Sequence, residues 1–242
     1  MSVKKIKMHI GAHDIFPNLL ENVANSPLSN MIHGGFHIKT PSLKALIKPN
    51  KTRKIIEHAT VFEGLERSVP EDCDFIFLSD HGILCPRNEV VSSEGMYQAS
   101  LPMIERLHAF SRDYEPEVHI CIMPQHDYPL AKNSMATNVA ALSWVPLITY
   151  VAHLFKGCAV KVWSVENFNE SAVGFVSDIC SIELGETEID VLYPWIERDQ
   201  IRLRKEYGVD LIYDDRALSL DLQYERDVND IIKIPNVELL CK

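Results

Sequence analysis

The amino-acid sequence predicts an α/β fold, a three-layer α/β/α domain built around a mainly parallel central sheet. Two observations predict it. Four short apolar runs, at 5–10, 74–79, 118–123 and 160–165, are separated by stretches of helical period, the alternation that parallel strands and their crossover helices require. The chain of 242 residues is 46% hydrophobic and 24% charged, the length and balance of one domain with a full core.

In chain order, 5–10 reads as a strand and 11–16 as a loop. A helix is expected from 17 to about 30, with Pro17 tolerated in its first turn. Residues 25–41 are rich in turn formers and expected to be irregular, and 42–66 reads as a mixed, basic, partly helical stretch. The run 74–79, with Phe75-Ile76-Phe77-Leu78 at its centre, is expected as a buried strand closing in the turn Asp80-His81-Gly82. Met96, Leu101, Ile104, Leu107 and Phe110 recur near helical period and predict a helix over 95–114. A strand at 118–123 is followed by the breakers Pro124 and Pro129, then by an apolar helix over 140–155, a strand at 160–165 and a helix over 170–184. From about 190 the chain turns mixed and mostly helical, with charged helical stretches at 197–207 and 218–232. The whole, 1–242, reads as a single domain without internal repeats.

The net charge of −10, from 24 basic and 34 acidic residues, argues against nucleic acid as a partner, because phosphate contacts need a basic face. No run of about 18 apolar residues offers a membrane span, and residues 1–7 are charged and lead into a strand rather than an apolar signal core. Cys73, Cys85, Cys121, Cys158, Cys180 and Cys241 are scattered without a CxxC pair and read as packing thiols, not as a disulfide framework. A cytoplasmic location is the expectation, and homo-oligomerisation stays open.

In sheets of this kind ligands sit beyond the carboxyl ends of the strands, which directs attention to the loops after Ile10, Ser79, Met123 and Val165. Three of these loops carry a neighbouring His–Asp pair, His13-Asp14, Asp80-His81 and His126-Asp127, more than chance alone would place. Imidazole and carboxylate together suit a divalent metal, or acid–base catalysis with one His held in its tautomer by a carboxylate. They equally suit plain helix capping and turn closure, and no HExxH-type spacing decides among the three. His13, Asp80 and His81 are the foremost catalytic candidates. Glu166 follows a strand and reads either as catalytic or as a cap. Arg198, Arg202, Arg204 and Lys205 read as a solvated helix face, and Trp144, Trp163 and Trp195 as core or interface. His33 and His37, around Gly34-Gly35, read as a loop or a lid.

The same loops carry a resemblance. His9-Ile10-Gly11-Ala12-His13, the strand end Leu78-Ser79-Asp80, the stretches 97–110, 120–128 and 144–155, Val160-Lys161-Val162-Trp163, Val165-Glu166-Asn167-Phe168, Tyr224-Glu225-Arg226-Asp227 and Ile234-Pro235-Asn236-Val237 are similar, in this order, to bacterial sulfotransferase-family proteins. The resemblance spans nearly the whole chain. It implies a P-loop NTPase-like domain that binds 3′-phosphoadenosine 5′-phosphosulfate and transfers its sulfo group. Small residues, a helix N-terminus and a lysine would grip the 5′-phosphosulfate, and an arginine and a serine the 3′-phosphate. The residues standing at the donor positions are Gly11, Ala12, Asp14 and Asn18 in the first loop, and His126, Asp127, Lys132 and Ser134 near the second.

The departures fall on the grip itself. The family continues after the histidine with Lys-Thr-Gly-Thr-Thr, where this chain has Asp14-Ile15-Phe16-Pro17-Asn18. A carboxylate thus replaces the cation, and a like charge in contact costs roughly 4 kcal/mol at an effective dielectric near 20. Bulk replaces Gly, and Pro17 removes one backbone donor. The arginine position falls near Met123-Pro124 and the serine position near Ala131. Three functions are expected on these grounds. One is a transferase moving a sulfo or related group onto a hydroxyl of a small molecule or glycan. Another is a binding protein without catalysis on the same fold. The third is a hydrolase or lyase using the His–Asp cluster, with or without a divalent metal.

Overall fold

The computed structural model describes residues 5–12, 15–16, 19–20, 22–23, 35–38, 75–79, 84–85, 87–128, 138–207 and 215–241. Six parallel strands form one sheet in the order β2-β3-β1-β6-β7-β8. They are β1 (Lys5–His9), β2 (Gly35–Ile38), β3 (Phe75–Ser79), β6 (Glu115–Ile122), β7 (Ala159–Ser164) and β8 (Val237–Cys241). Two short strands, β4 (Val91–Ser92) and β5 (Gly95–Met96), pair as a separate antiparallel ribbon. The helices α1 (Leu101–Phe110), α2 (Val145–Leu154), α3 (Phe168–Cys180), α4 (Glu186–Tyr207) and α5 (Asp215–Ile231) flank the sheet. Strand β3 is buried at every position and β6 is buried from Glu117 onward, as a parallel sheet covered on both faces demands. Among the described residues, no helix is long and apolar enough to cross a membrane.

The expected α/β/α architecture is therefore present, and its four anticipated strands are β1, β3, β6 and β7. Strand β2 lies inside the stretch expected to be irregular, and β8 was not anticipated at all. Each is only four or five residues long and is defined by its neighbour in the sheet rather than by local pattern. The helix expected over 95–114 starts at Leu101, because Gly95 and Met96 belong to β5 and Tyr97 takes a left-handed conformation while donating to Val90 O. The helix expected over 140–155 is a 3-10 turn over Val139–Leu142 followed, after extended Ser143, by α2. Helix α3 stops at Cys180 because Ser181 is left-handed at φ 55, the usual helix-ending conformation. In the tail, α4 and α5 begin earlier than the charged stretches suggested. Of the helix expected from 17, helical backbone is seen at 19–20 and 22–23. The turn at 80–82 and the stretch 42–66 lie outside the described residues.

The strand order fixes where a ligand would sit. From β1 the chain leaves toward β2, from β6 toward β7, and these exits lie on opposite sides of the adjacent β1–β6 pair. That reversal opens a crevice beyond the carboxyl ends of β1 and β6.

A buried carboxylate holds this edge together. Along α5 the buried residues Leu220, Tyr224, Asp227 and Ile231 follow helical spacing, with an aspartate in the apolar stripe. Asp227 accepts from Gln125 Nε2 at 2.6 Å, Trp144 N at 2.8 Å, Ser143 Oγ at 2.6 Å and Gln223 Nε2 at 2.8 Å. It thereby ties α5 to the loop after β6 and to the start of α2. Burial pushes its carboxyl above the ordinary range, while these four donors pull the other way. Replacing Asp227 by Ala removes the acceptor of four donors, of which Gln125 Nε2 keeps Leu142 O at 3.1 Å. With about 1–3 kcal/mol for each one left unpaired, Asp227→Ala should lose at least about 3 kcal/mol in urea unfolding. A loss below about 1 kcal/mol would mean that the donors find other acceptors.

Candidate functional site

At the carboxyl edge, the described residues of the first loop, 11–12 and 15–16, pack against the sheet and α3. Ala12 N donates to Cys121 O at 2.9 Å and Cys121 N donates to Gly11 O at 2.8 Å, so the start of the loop continues the β1–β6 ladder. Ile15 and Phe16 are fully buried, and the Phe16 ring meets Phe168 and Phe175 at centroid distances of 4.9 and 5.6 Å. Leu20 N donates to Phe16 O, so a helical turn begins here. The free N–H of Leu19 in that turn is taken by Asp199 Oδ2 at 2.9 Å. Asp199 is fully buried and sits on the stripe Leu192, Ile196, Asp199, Leu203 of α4. A carboxylate of the chain itself thus occupies the position at a helix start that suits an anion.

Also at the carboxyl edge, the loop after β6 presents His126. Pro124 O accepts from Asp127 N and Tyr128 N at 2.9 and 2.8 Å, a tight turn that projects the imidazole. Its Nδ1 is in close ion-pair contact with Asp221 Oδ1 of α5, and its Nε2 lies 3.1 Å from Asp127 Oδ1. A carboxylate lies against each ring nitrogen, the Nδ1 contact falling outside hydrogen-bond geometry. Asp221 approaches from the protein side at 23% exposure, whereas Asp127 is 43% exposed. Imidazole and carboxylate in contact are a pairing that acid–base chemistry can use.

A second polar cluster lies at the opposite, amino end of the sheet. There β1, β6 and β7 place Lys7, Glu117, His119 and Lys161 on the face covered by α3. Lys7 Nζ donates to Asp178 O, Ile179 O and Ser181 Oγ at 2.6, 2.9 and 2.6 Å, capping the carbonyl end of α3. Burial lowers its pKa, against the pull of Glu117 and Asp178. His119 Nε2 lies 2.8 Å from Glu117 Oε1, and Trp163 Nε1–H donates to His119 Nδ1 at 3.3 Å. The indole can only donate, so the ring is neutral with its proton on Nε2. Burial holds the His119 pKa below its ordinary value, although Glu117 opposes this. Burial would raise Glu117, but hydrogen bonds from His119 and Lys5 outweigh it and keep the carboxylate far below the usual range.

Glu117, His119 and Asp178 bring three ligand-type atoms within 4.8 Å of one another, beneath a cleft of about 440 Å³. The charges argue against a cation here. Lys5 lies 2.7 Å from Glu117, Lys7 3.8 Å and Lys161 3.5 Å, and Lys161 bonds both oxygens of Asp178 at 2.7 and 2.9 Å. Three ammonium groups already neutralise the carboxylates, and a divalent ion would have to displace them. The cluster is a buried charge network that docks α3 on the sheet.

Of the residues singled out in the sequence, Gly11, Ala12, His126 and Asp127 are brought to the carboxyl edge. His13, Asp14, Asn18, Asp80, His81, Lys132 and Ser134 lie outside the described residues. Trp144 and Trp163 are buried in the core, Trp195 is half-buried, and Arg198 is exposed. Glu166 is exposed and accepts from Ser164 Oγ at 3.0 Å. Sequence reasoning passed over Asp199, Asp221, Asp227, Lys7, Glu117 and His119. The signal for Asp199 and Asp227 was an aspartate on an apolar helical stripe. For Lys7, Glu117 and His119 it was charge at every second position of a buried strand.

The His119 assignment has a measurable consequence. The unfolded chain takes up a proton near pH 6.5, the folded protein only at a lower pH. Below about pH 6.5 the unfolded state therefore binds more protons, and stability falls as pH falls toward the lowered value. Melting curves between about pH 7.5 and 5 should show this loss, and His119→Gln should flatten that part of the profile. An unchanged slope in the variant would assign the loss to other groups.

Neither a family model nor a curated protein matches the chain, and the functional reading rests on the geometry of this edge.

Proposed function

We propose that this is a sulfotransferase-like α/β protein that no longer takes the adenosine phosphosulfate donor, and that it performs acid–base chemistry on a small molecule or glycan at the carboxyl edge of its sheet. His126 acts as the acid–base residue and Asp221 orients it. The observation that carries this reading is the seat of His126 between Asp221 and Asp127, in the loop after β6, beside the crevice where the strand order reverses. Loss of the donor is supported by the buried Ile15 and Phe16 and by the Asp199 carboxylate on Leu19 N. A hydrolase or lyase fits this better than a transferase, because water or an internal group then replaces the donor. A cytoplasmic location belongs to the same proposal.

A second reading, a binding protein without catalysis, is favoured by the same closure of the first loop. Two measurements test these readings, the first their shared premise and the second the difference between them. Addition of 3′-phosphoadenosine 5′-phosphate should leave the melting temperature unchanged, where a bound ligand at 100 times its dissociation constant would add about 2.7 kcal/mol. On a panel of chromogenic esters, phosphates, sulfates and glycosides, at least one probe should be turned over. His126→Asn should slow that turnover by about 10²- to 10⁴-fold. Stabilisation by the adenosine phosphate would restore the transferase reading, and a fully active His126→Asn would remove His126 from it.

A further inference from the structure

Helix α5 supports more than His126. Asp221 and Tyr224 are three residues apart and so lie on one side of the helix. Asp221 holds His126, and Tyr224 Oη lies 2.6 Å from Ser164 Oγ at the carboxyl end of β7. Ser164 Oγ in turn lies 3.0 Å from Glu166 Oε1. The order of protons in this chain follows from the groups alone. A carboxylate only accepts, and a serine has one proton; Ser164 therefore donates to Glu166, and Tyr224 donates to Ser164. The hydroxyl pair is buried, with Ser164 at 1% and Tyr224 at 5% exposure, while the carboxylate it holds faces solvent.

Strand register brings this carboxylate and His126 to the same edge of the sheet. Ser164 stands opposite Ile122, and Val165 N donates to Ile122 O at 2.7 Å. Glu166 and His126 thus extend from neighbouring strands over one edge, each steadied by α5. An exposed glutamate is already hydrated by water. Two core hydroxyls committed to it fix where it points, which is the requirement of a reacting group.

We propose that Glu166 is the second acid–base residue of this edge, and that Ser164 and Tyr224 are positioning residues that hold it. The assignment rests on the reading of His126 above. Among the described residues this edge carries Asp127, Glu166 and Asp221, a charge that favours a neutral, hydroxyl-bearing molecule over an anion.

The test has an arm that needs no substrate. The ring Cζ resonance of Tyr224 should shift in Ser164→Ala and in Glu166→Gln, whose amide can donate and so loosens the proton order, and stay put in His126→Asn. An unmoved resonance in Glu166→Gln overturns the relay. The second arm uses the chromogenic probe that the wild type turns over. Glu166→Gln should lower kcat about 10²-fold or more, and Ser164→Ala and Tyr224→Phe ten- to hundredfold, all with KM changed less than about twofold. If Ser164→Ala and Tyr224→Phe lower the melting temperature but leave kcat alone, their role is structural and the positioning assignment falls. A wild-type kcat in Glu166→Gln overturns the catalytic one. A loss in Glu166→Gln with full activity in His126→Asn would instead overturn the reading of His126. A protein inert to every probe overturns the catalytic role of both.

Discussion

A carboxylate on the apolar stripe of a helix is tolerated only when donors surround it, and that constraint shapes the carboxyl edge of this sheet. Asp227 meets it with four hydrogen bonds that reach the loop after β6, the segment before α2 and its own helix. Asp199 meets it through the free N–H of Leu19. Each aspartate sits seven residues along a buried stripe, and each reaches a segment remote in the chain. The two C-terminal helices are therefore fastened by polar contacts of defined geometry as well as by apolar packing. Their side chains at the edge, Asp221 and Tyr224 among them, inherit that definition.

The opposite end of the sheet solves a different problem. Lys7, Glu117 and His119 lie under α3, where a parallel sheet usually offers aliphatic residues. Removing such charges from water is unfavourable by several kcal/mol per ion, and mutual attraction offsets it only with full hydrogen bonding. Here every ammonium proton of Lys7 has an acceptor, and the carbonyl end of α3 is one of them. The network fixes the rotation of α3 and with it Phe175, whose ring touches His9, Phe16, His119 and Trp163. The two ends of the molecule are thus joined through one helix: a charge cluster sets its angle, and an aromatic cluster carries that angle to the first loop.

The central strands were legible in the sequence because apolar runs of five or six residues have few other uses. The edge strands β2 and β8 were not, because four or five residues gain strand character only from a neighbour. Helix starts were misplaced where Tyr97 and Ser143 take conformations that their residue types do not announce. His126-Asp127 was visible as a neighbouring pair, but Asp221 is far along the chain and nothing local links them. The same holds for Asp199, 180 residues from Leu19, and for Asp227, 83 residues from Trp144. An aspartate on an apolar stripe can be seen in a sequence; the donor that justifies it cannot.

Closure of the first loop by Asp199 also changes what the chain depends on. A nucleotide-gripping loop draws part of its order from its ligand, so its stability rises and falls with ligand concentration. Here the counterpart anion is covalently part of the chain, present at one equivalent and always in place. The N–H of Leu19 at the start of the first helix is therefore met from within the chain.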